Sequence, residues 1–226
     1  METLVVSKVS IDLPSQLEVK LVLRSRIIKC ATYLFFKMGI RRVTMDDIAG
    51  ECGVSKKTIY QHFKDKDQVV LDVTKSFLDK EERDLDDISK KAKDPIDELV
   101  QISKWFRSML VNMDSSLLFD MRKYHPKSWK FFQQHKEKCV LCSMVNNFDK
   151  GKELGLYRQG LNVEILSRFR VASSELPFDD DAFPRNKFRV SDLQLEIFEL
   201  FVYGIVTDKG KKLYETYKKQ ELKKSI

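Results

Sequence analysis

Apolar residues recur at helical spacing along most of the chain, and no β-hairpin signal interrupts them. One stripe lies between residues 17 and 38 and ends before Gly39, which tolerates the positive φ of a helix C-terminus. Another follows Asp94 and Pro95, a capping residue and a proline at the first helical position, and keeps its period to Met113. Because a helix returns to the same face every 3.6 residues, these stripes predict amphipathic helices.

Capping residues and prolines divide the rest of the chain into further helices. Asp65 and Asn162 each precede an apolar stripe as an N-cap would, and Ser191 to Gln194 has the spacing of a capping box. After the first helix, the pattern predicts helices over 44–52, 56–63, a fourth from 65, then 95–113, 117–124, 126–150, 162–176, 191–207 and 210–223, with a loop at 177–188. We therefore predict an all-α protein of nine or ten helices.

Two very short helices joined by a tight turn stand out near the N-terminus, in TMDDIAGECGVSKKTIYQHF (residues 44–63). Thr44 and Asp47 form a capping box, Gly53 supplies the turn, and Ser55 caps the second helix. In that second helix Ile59 and Phe63 share one side and Lys57 and Tyr60 the other. A helix-turn-helix presents its second helix to the DNA major groove in this way. The segment therefore predicts a DNA-binding unit.

Charge is concentrated in the same part of the chain. Of the net charge of +7, residues 20–66 contribute eleven basic and four acidic groups, whereas residues 81–226 contribute 27 basic and 24 acidic groups. A basic quarter on a near-neutral body favours a polyanionic partner for that quarter. Charge alone favours a solvated charged surface over such a partner, so the DNA prediction depends on the helix pattern.

The N-terminal segment resembles the DNA-binding domain of TetR-family transcriptional regulators. The residues of this resemblance are ATYLFF (31–36), Gly39, VTMDDIA (43–49), GVSKKTIYQHF (53–63) and KDK (64–66), with a Tyr60-x-His62-Phe63-x-x-Lys66 signature. It covers about residues 20–78. The resemblance implies a helix-turn-helix domain at 17–66, a larger helical effector-binding and dimerisation domain at 67–226, and an N-terminal extension at 1–16, which we expect to be flexible.

The family resemblance implies a role in DNA contact for a set of residues around the second short helix. Lys56 and Lys57 are the candidates for reading bases, since lysine donates to guanine O6 and N7, but contact with phosphate alone explains them equally well. Capping alone explains Thr44, and a packed histidine explains His62. The predicted DNA-binding residues are Thr44, Ser55, Lys56, Lys57, Thr58, Tyr60, Gln61, His62 and Lys66.

One short recognition helix reads few base pairs, so specificity requires two of them about 34 Å apart. This predicts a homodimer on a pseudo-palindromic operator. The helix at 191–207 is apolar around most of its circumference, which core burial in one chain explains only in part. The candidates for the dimer interface are Leu195, Phe198, Phe201, Val202 and Ile205.

Large apolar side chains in the middle helices suggest a pocket, although ordinary core packing explains each of them individually. In a family that senses small molecules, we expect an apolar or aromatic effector. The candidates for the pocket are Trp105, Phe106, Met109, Met113, Phe119, Tyr124, Trp129, Phe132, Met144 and Phe148. We therefore predict a ligand-responsive regulator, most simply a repressor.

Other chemistry has weaker support. Cys139 and Cys142 lie on one helix face with His135 four residues earlier, which leaves a redox or metal sensor as a remote alternative to two small core residues. No nucleophile, P-loop or acid–base pair is recognisable, so we predict no enzyme, no cofactor and no metal. A structural, nucleoid-type DNA-binding protein is the second alternative. Without a secretory signal or a membrane-spanning run, and with its four cysteines expected to be reduced, we expect a cytoplasmic protein.

Overall fold

The computed structural model describes residues 16–111 and 113–224, which form eleven α-helices. The helices are α1 (Gln16–Met38), α2 (Met45–Cys52), α3 (Lys56–His62), α4 (Lys66–Lys91), α5 (Pro95–Leu110), α6 (Leu117–Tyr124), α7 (Pro126–His135), α8 (Leu141–Glu153), α9 (Val163–Ser173), α10 (Val190–Ile205) and α11 (Asp208–Lys224). A π-helical turn, Lys136–Val140, joins α7 to α8 without a break. Counted that way, the described part of the chain has ten helical rods, and the predicted all-α class is confirmed.

The first four helices enclose a head core. Ile27 and Ala31 of α1, Ile48 of α2 and Ile59 of α3 are each fully buried in it. The capping box of Thr44 and Asp47 starts α2, and Gly53 ends it with a φ of +63°, a conformation that few other residues adopt. These local signals fix the angle between α2 and α3, which is why the sequence predicts this part of the fold well.

Helix α4 extends from the head, which comprises α1–α3 and the start of α4, into the body, which comprises the helices that follow. Val69, Val70 and Val73 belong to the head core, and the middle and end of the helix pack against α5 and α7. At the start of α7, His125 Nδ1 lies 2.7 Å from Asp67 Oδ1 of α4. The head core also includes two residues of α6, Leu117 and Met121. The predicted domain limit at residue 66 therefore remains a prediction, since head and body share packing across it.

A second core lies among α5, α8, α10 and α11. The aromatic rings of Phe148, Tyr157 and Phe201 meet edge to face at its centre. A buried polar network closes one side: Tyr157 donates to Asn147 Oδ1 at 2.9 Å, and Asn147 donates to Glu98 Oε2 at 2.8 Å. Because each of these buried polar groups has a hydrogen-bond partner, their burial does not destabilise the fold, and the network fixes the packing of the body.

Several predicted boundaries were wrong. Helix α5 ends at Leu110, three residues before the end of its apolar stripe, and α9 ends at Ser173 before a 3₁₀ turn, Leu176–Phe178. The capping box at Ser191 does not form: α10 begins at Val190, and the buried Gln194 instead donates to the carbonyl of Ser174. Gln194, which the local pattern assigned to a helix cap, instead makes a tertiary hydrogen bond.

Residues 1–15 of the predicted extension lie outside the described residues, and Gln16 begins α1. The described helices include none with both the length and the apolar content needed to cross a bilayer. Between residues 16 and 224, apart from the undescribed position 112, β structure is limited to one isolated bridge of Tyr157 with Val206.

Candidate nucleic-acid interface and buried cavity

Helix α3 has one buried side and one exposed side. Ile59 is fully buried and Phe63 nearly so, and both pack into the head core. Lys57 and Gln61 are exposed, and 48% of the Tyr60 surface remains in contact with solvent. The side of α3 predicted to face DNA is thus the side that the head leaves uncovered.

The two candidate base-reading lysines differ in their surroundings. Lys56 Nζ forms an exposed ion pair with Asp46 Oδ2 at 2.8 Å, and this hydrogen bond raises the pKa of Lys56. Lys57 has neither an ion pair nor a side-chain hydrogen bond within the residues described. An exposed ion pair contributes little and is easily exchanged for phosphate, so both remain available, but Lys57 is the freer donor.

The N-terminal polar groups around α2 and α3 are already paired within the head. Thr44 N donates to Asp47 Oδ2 at 2.8 Å, and Thr44 Oγ1 donates to the same oxygen at 2.7 Å. Ser55 Oγ accepts from Thr58 N at 3.1 Å and lies 2.8 Å from the hydroxyl oxygen of Thr58. A phosphate at Thr44 would therefore compete with a carboxylate, which weakens the case for Thr44 relative to Lys57.

His62 and Lys66 are partly withdrawn from the surface. Burial, with Lys20 and Arg24 nearby, lowers the pKa of His62, and its buried Nδ1 has no hydrogen-bond partner in the described structure. Lys66 donates to the carbonyl of Arg41 at 3.3 Å, and burial lowers its pKa. These two are positioned to support the head as well as to approach a backbone. The exposed Lys64, which the predicted set omits, lies between them in the chain.

A cavity of about 170 Å³ lies between the head and the body. Its wall contains the predicted Trp105, Phe106, Met109, Met113, Phe132 and Met144, together with residues of both cores. The pattern missed the contributions of Phe35, Phe36, Phe77, Leu85 and Phe178, which come from α1, α4 and the loop after α9. Because those residues are far from the middle helices in sequence, only the tertiary fold brings them to the cavity.

Four predicted pocket residues lie elsewhere. Phe119 and Tyr124 are 52% and 37% exposed on α6, because the polar side of that short helix faces solvent and they share it. Trp129 packs against the head core, and Phe148 is fully buried in the body core. None of the four lines the cavity. Aromatic content alone therefore did not separate pocket, core and surface.

The wall of the cavity also contains charged groups that helical periodicity did not reveal. Lys136 pairs with Glu175, and burial raises the pKa of Glu81 to about 7. Arg170 has no such partner: its Nη1 is buried without a hydrogen bond in the described part of the chain, and its guanidinium lies 5.5 Å from the centre of the Phe198 ring. Burial lowers the pKa of Arg170 to about 10, so it remains cationic at neutral pH. A buried, unpaired cation is costly to keep and marks a position where an anion would be stabilised.

Four of the five predicted dimer residues on α10 are buried within their own chain. Phe198, Phe201, Val202 and Ile205 are each less than 5% exposed because they form the body core of their own chain. Leu195 is only partly buried. The opposite side of α10 and the outer side of α9 leave large apolar side chains in solvent. This α9–α10 face comprises Ile165 (63% exposed), Phe169 (54%), Leu176 (44%) and Leu200 (73%).

Comparison with known proteins identifies related regulators. Residues 27–73 match the family described as "Bacterial regulatory proteins, tetR family". The uncharacterised HTH-type transcriptional regulator YvaF of Bacillus subtilis is 21% identical over 174 residues, covering 73% of this chain and 86% of YvaF. The HTH-type transcriptional repressor KstR2 of Mycolicibacterium smegmatis is 35% identical over 68 residues, which cover 30% of this chain and 32% of KstR2.

The fold is shared by solved regulators. The structure of the transcriptional regulator FadR from Bacillus subtilis in complex with stearoyl-CoA superposes with a TM-score of 0.59 at 18% identity, covering 80% of this chain and 98% of FadR. At this identity the likeness establishes the fold and not the ligand.

Proposed function

We propose that this chain, which belongs to the TetR family of transcriptional regulators through its N-terminal domain, binds a specific operator as a homodimer and represses transcription until an effector occupies its cavity. The observation that supports DNA binding most directly is the exposed side of α3, where Lys57 and Tyr60 face solvent while Ile59 and Phe63 anchor the helix in the head. The related proteins are described as transcriptional regulators.

The exposed apolar residues of α9 and α10 support the dimer. On α9 they recur at Ile165 and Phe169, four residues apart, and on α10 Leu200 lies on the side opposite the body core. Large apolar side chains left in solvent on these helices favour association, because association removes them from water. In a dimer joined through the α9–α10 face, four helices meet at the interface. Each chain then contributes one α3 helix to bind the DNA.

The cavity supports an effector that is mainly apolar and has an acidic end. Apolar side chains, both aromatic and aliphatic, provide most of the wall, and Arg170 provides a cation whose buried Nη1 has no partner among the described residues. The stearoyl-CoA bound by the related FadR is likewise a long apolar chain with an acidic portion. An effector that fits only an arrangement of head and body that binds DNA poorly lowers the affinity for the operator. Operator DNA then lowers the affinity for the effector by the same factor.

Selection of binding sites from random duplex DNA tests the proposal. We expect enrichment of one pseudo-palindrome whose halves are about one helical turn apart, with affinity that falls by about 0.9 log units per log unit of salt for each phosphate contacted. Failure to enrich any sequence, with equal affinity for random duplex, would instead favour a structural DNA-binding protein. Absence of binding to duplex DNA would refute both.

A further inference from the structure

A carboxylate, an imidazole and a thiol meet where α4 packs against α7. Glu82, His135 and Cys139 each offer one ligand atom, and these atoms all lie within 4.8 Å of one another. None of the three residues lines the cavity, and none belongs to the predicted DNA surface. The fold thus brings together three different donor types that neither proposed activity uses.

The local backbone explains how two of the donors come together. His135 ends α7 and Cys139 lies in the π-helical turn, where Leu141 N donates to the carbonyl of Lys136, five residues earlier. Residues four apart lie nearly above one another on such a helix, so the imidazole and the thiol point the same way. Single π-turns within α-helices occur frequently at functional sites. The structure adds Glu82 from another helix, which sequence spacing could not reveal.

We propose that Glu82, His135 and Cys139 bind a divalent transition-metal ion of the zinc type. Thiolate and imidazole ligands select zinc and its neighbours over magnesium and calcium, which prefer oxygen ligands. Three protein ligands leave a fourth position for water or for the thiol of Cys142, three residues further on and exposed.

The dimensions of the cluster suit such an ion after a small closure. Bonds of about 2.0 to 2.3 Å place tetrahedral ligands roughly 3.5 Å apart, so ligand atoms that lie within 4.8 Å of one another need to close by about 1.3 Å at most. Glu82 is exposed and its side chain can turn inward, whereas His135 and Cys139 are partly buried and already oriented. Glu81 Oε2 also lies 3.9 Å from His135 Nε2, where a carboxylate would orient the imidazole.

Metal binding would connect α4 to α7. Since α4 also contributes Val69, Val70 and Val73 to the head core, the ion would fasten the helix that joins head and body. An ion that binds the folded state alone stabilises it by RT ln(1 + c/Kd), where c is the ion concentration, so the thermal midpoint of unfolding rises with the ion concentration. This effect does not require DNA or an effector, so it is independent of the proposed regulatory function.

The test is a zinc titration of the full chain, reduced and freed of metal with a chelator, in competition with a chromophoric chelator. We expect one zinc ion per chain and a raised thermal midpoint. With cobalt, we expect a thiolate charge-transfer band. His135→Ala and Cys139→Ser should each lower the zinc affinity by at least roughly ten-fold, the loss seen even for outer ligand partners.

Matched variants separate coordination from charge and from misfolding. Glu82→Gln should weaken binding although Glu82 is exposed, whereas Asp79→Asn, which removes an exposed carboxylate one turn away on α4, should not. Cys30→Ser controls for nonspecific thiol binding. The proposal is overturned if the wild type takes up no stoichiometric zinc, or if Glu82→Gln, His135→Ala and Cys139→Ser all keep wild-type affinity. It is also overturned if Cys30→Ser weakens binding as much as Cys139→Ser does.

Discussion

Two surfaces of this chain leave large side chains in solvent, and they do so with opposite chemistry. The outer side of α3 exposes Lys57 and Tyr60 around a helix that Ile59 holds in the head core. The α9–α10 face exposes Phe169 and Leu200 instead. A cationic surface attracts a polyanion and loses affinity in salt, whereas an apolar surface associates by removal from water and tolerates salt. We therefore propose a different partner for each surface: DNA for the first and a second copy of the chain for the second.

Truncation of the buried side of α3 should produce the largest effect on stability. Ile59→Ala removes a fully buried side chain from the head core and should lower the free energy of unfolding by about 2–5 kcal/mol. Tyr60→Ala, on the exposed side of the same helix, should change it by no more than about 0.5 kcal/mol. Denaturant unfolding followed by circular dichroism measures both. Equal losses would show that α3 is not divided into a buried and an exposed side.

A charge on the α9–α10 face should separate the dimer. Leu200→Asp places a carboxylate at the most exposed apolar position of this face, and we expect dimer affinity to fall by at least about 2 kcal/mol, the loss typical of a central interface residue. Analytical ultracentrifugation measures the change, and operator affinity should fall with it. Leu154→Asp is the control, since Leu154 is 51% exposed at the end of α8. A Leu200→Asp protein as dimeric as the wild type would place the interface elsewhere.

Removal of the free lysine should weaken operator binding without affecting fold or assembly. Lys57→Ala should cost about 1–3 kcal/mol if the lysine reads a base, and should relax the sequence preference at that position. If it contacts phosphate only, affinity should fall uniformly over sequences and the salt slope should decrease by about one. Fluorescence anisotropy with selected and random duplexes distinguishes these cases. Lys212→Ala, an exposed lysine on α11, is the control. Wild-type binding by Lys57→Ala would contradict the placement of α3 in the groove.

The smallest expected effect concerns the cavity. Octanoate should bind the wild type roughly ten-fold more tightly than 1-octanol, because hydrogen bonds to charged groups are the stronger ones and Arg170 lacks an anionic partner. In Arg170→Met that preference should disappear while octanol affinity stays the same. Thermal shift and calorimetry measure both ligands. If the wild type bound octanoate and 1-octanol with equal affinity, the proposal that the effector has an acidic end would be wrong. The proposal of DNA binding would be unaffected.

The contrast between the two surfaces also explains what the sequence could predict. The head is determined by local signals: the Thr44 cap, the Gly53 turn and the alternation of Ile59 with Tyr60 each depend on residues a few positions apart. In α10, by contrast, apolar residues cover nearly the whole circumference, so the pattern could not tell which side faces the chain's own core. Phe198 and Phe201 turn inward only because α5, α8 and α11 surround them.

The cavity and the proposed metal cluster had still weaker signals. Arg170 and Lys136 look like surface charges in the sequence, and only the packing of α9 and the π-turn shows that they lie at a cavity wall. Glu82 lies in an acidic stretch that reads as a solvated helix face, more than fifty positions from His135. Non-local contacts of this kind depend on the whole fold, whereas caps and turns do not.

The spacing of the operator halves tests most directly whether a dimer places two α3 helices at a fixed separation on the DNA. Starting from the selected operator, about five base pairs inserted between the halves turn one half-site to the opposite side of the duplex, and about ten return it to the same side. We predict that the five-pair insertion reduces affinity to that of a single half-site, because one dimer cannot then reach both. Affinity unchanged by the five-pair insertion would contradict the reading of DNA by two α3 helices held at a fixed separation.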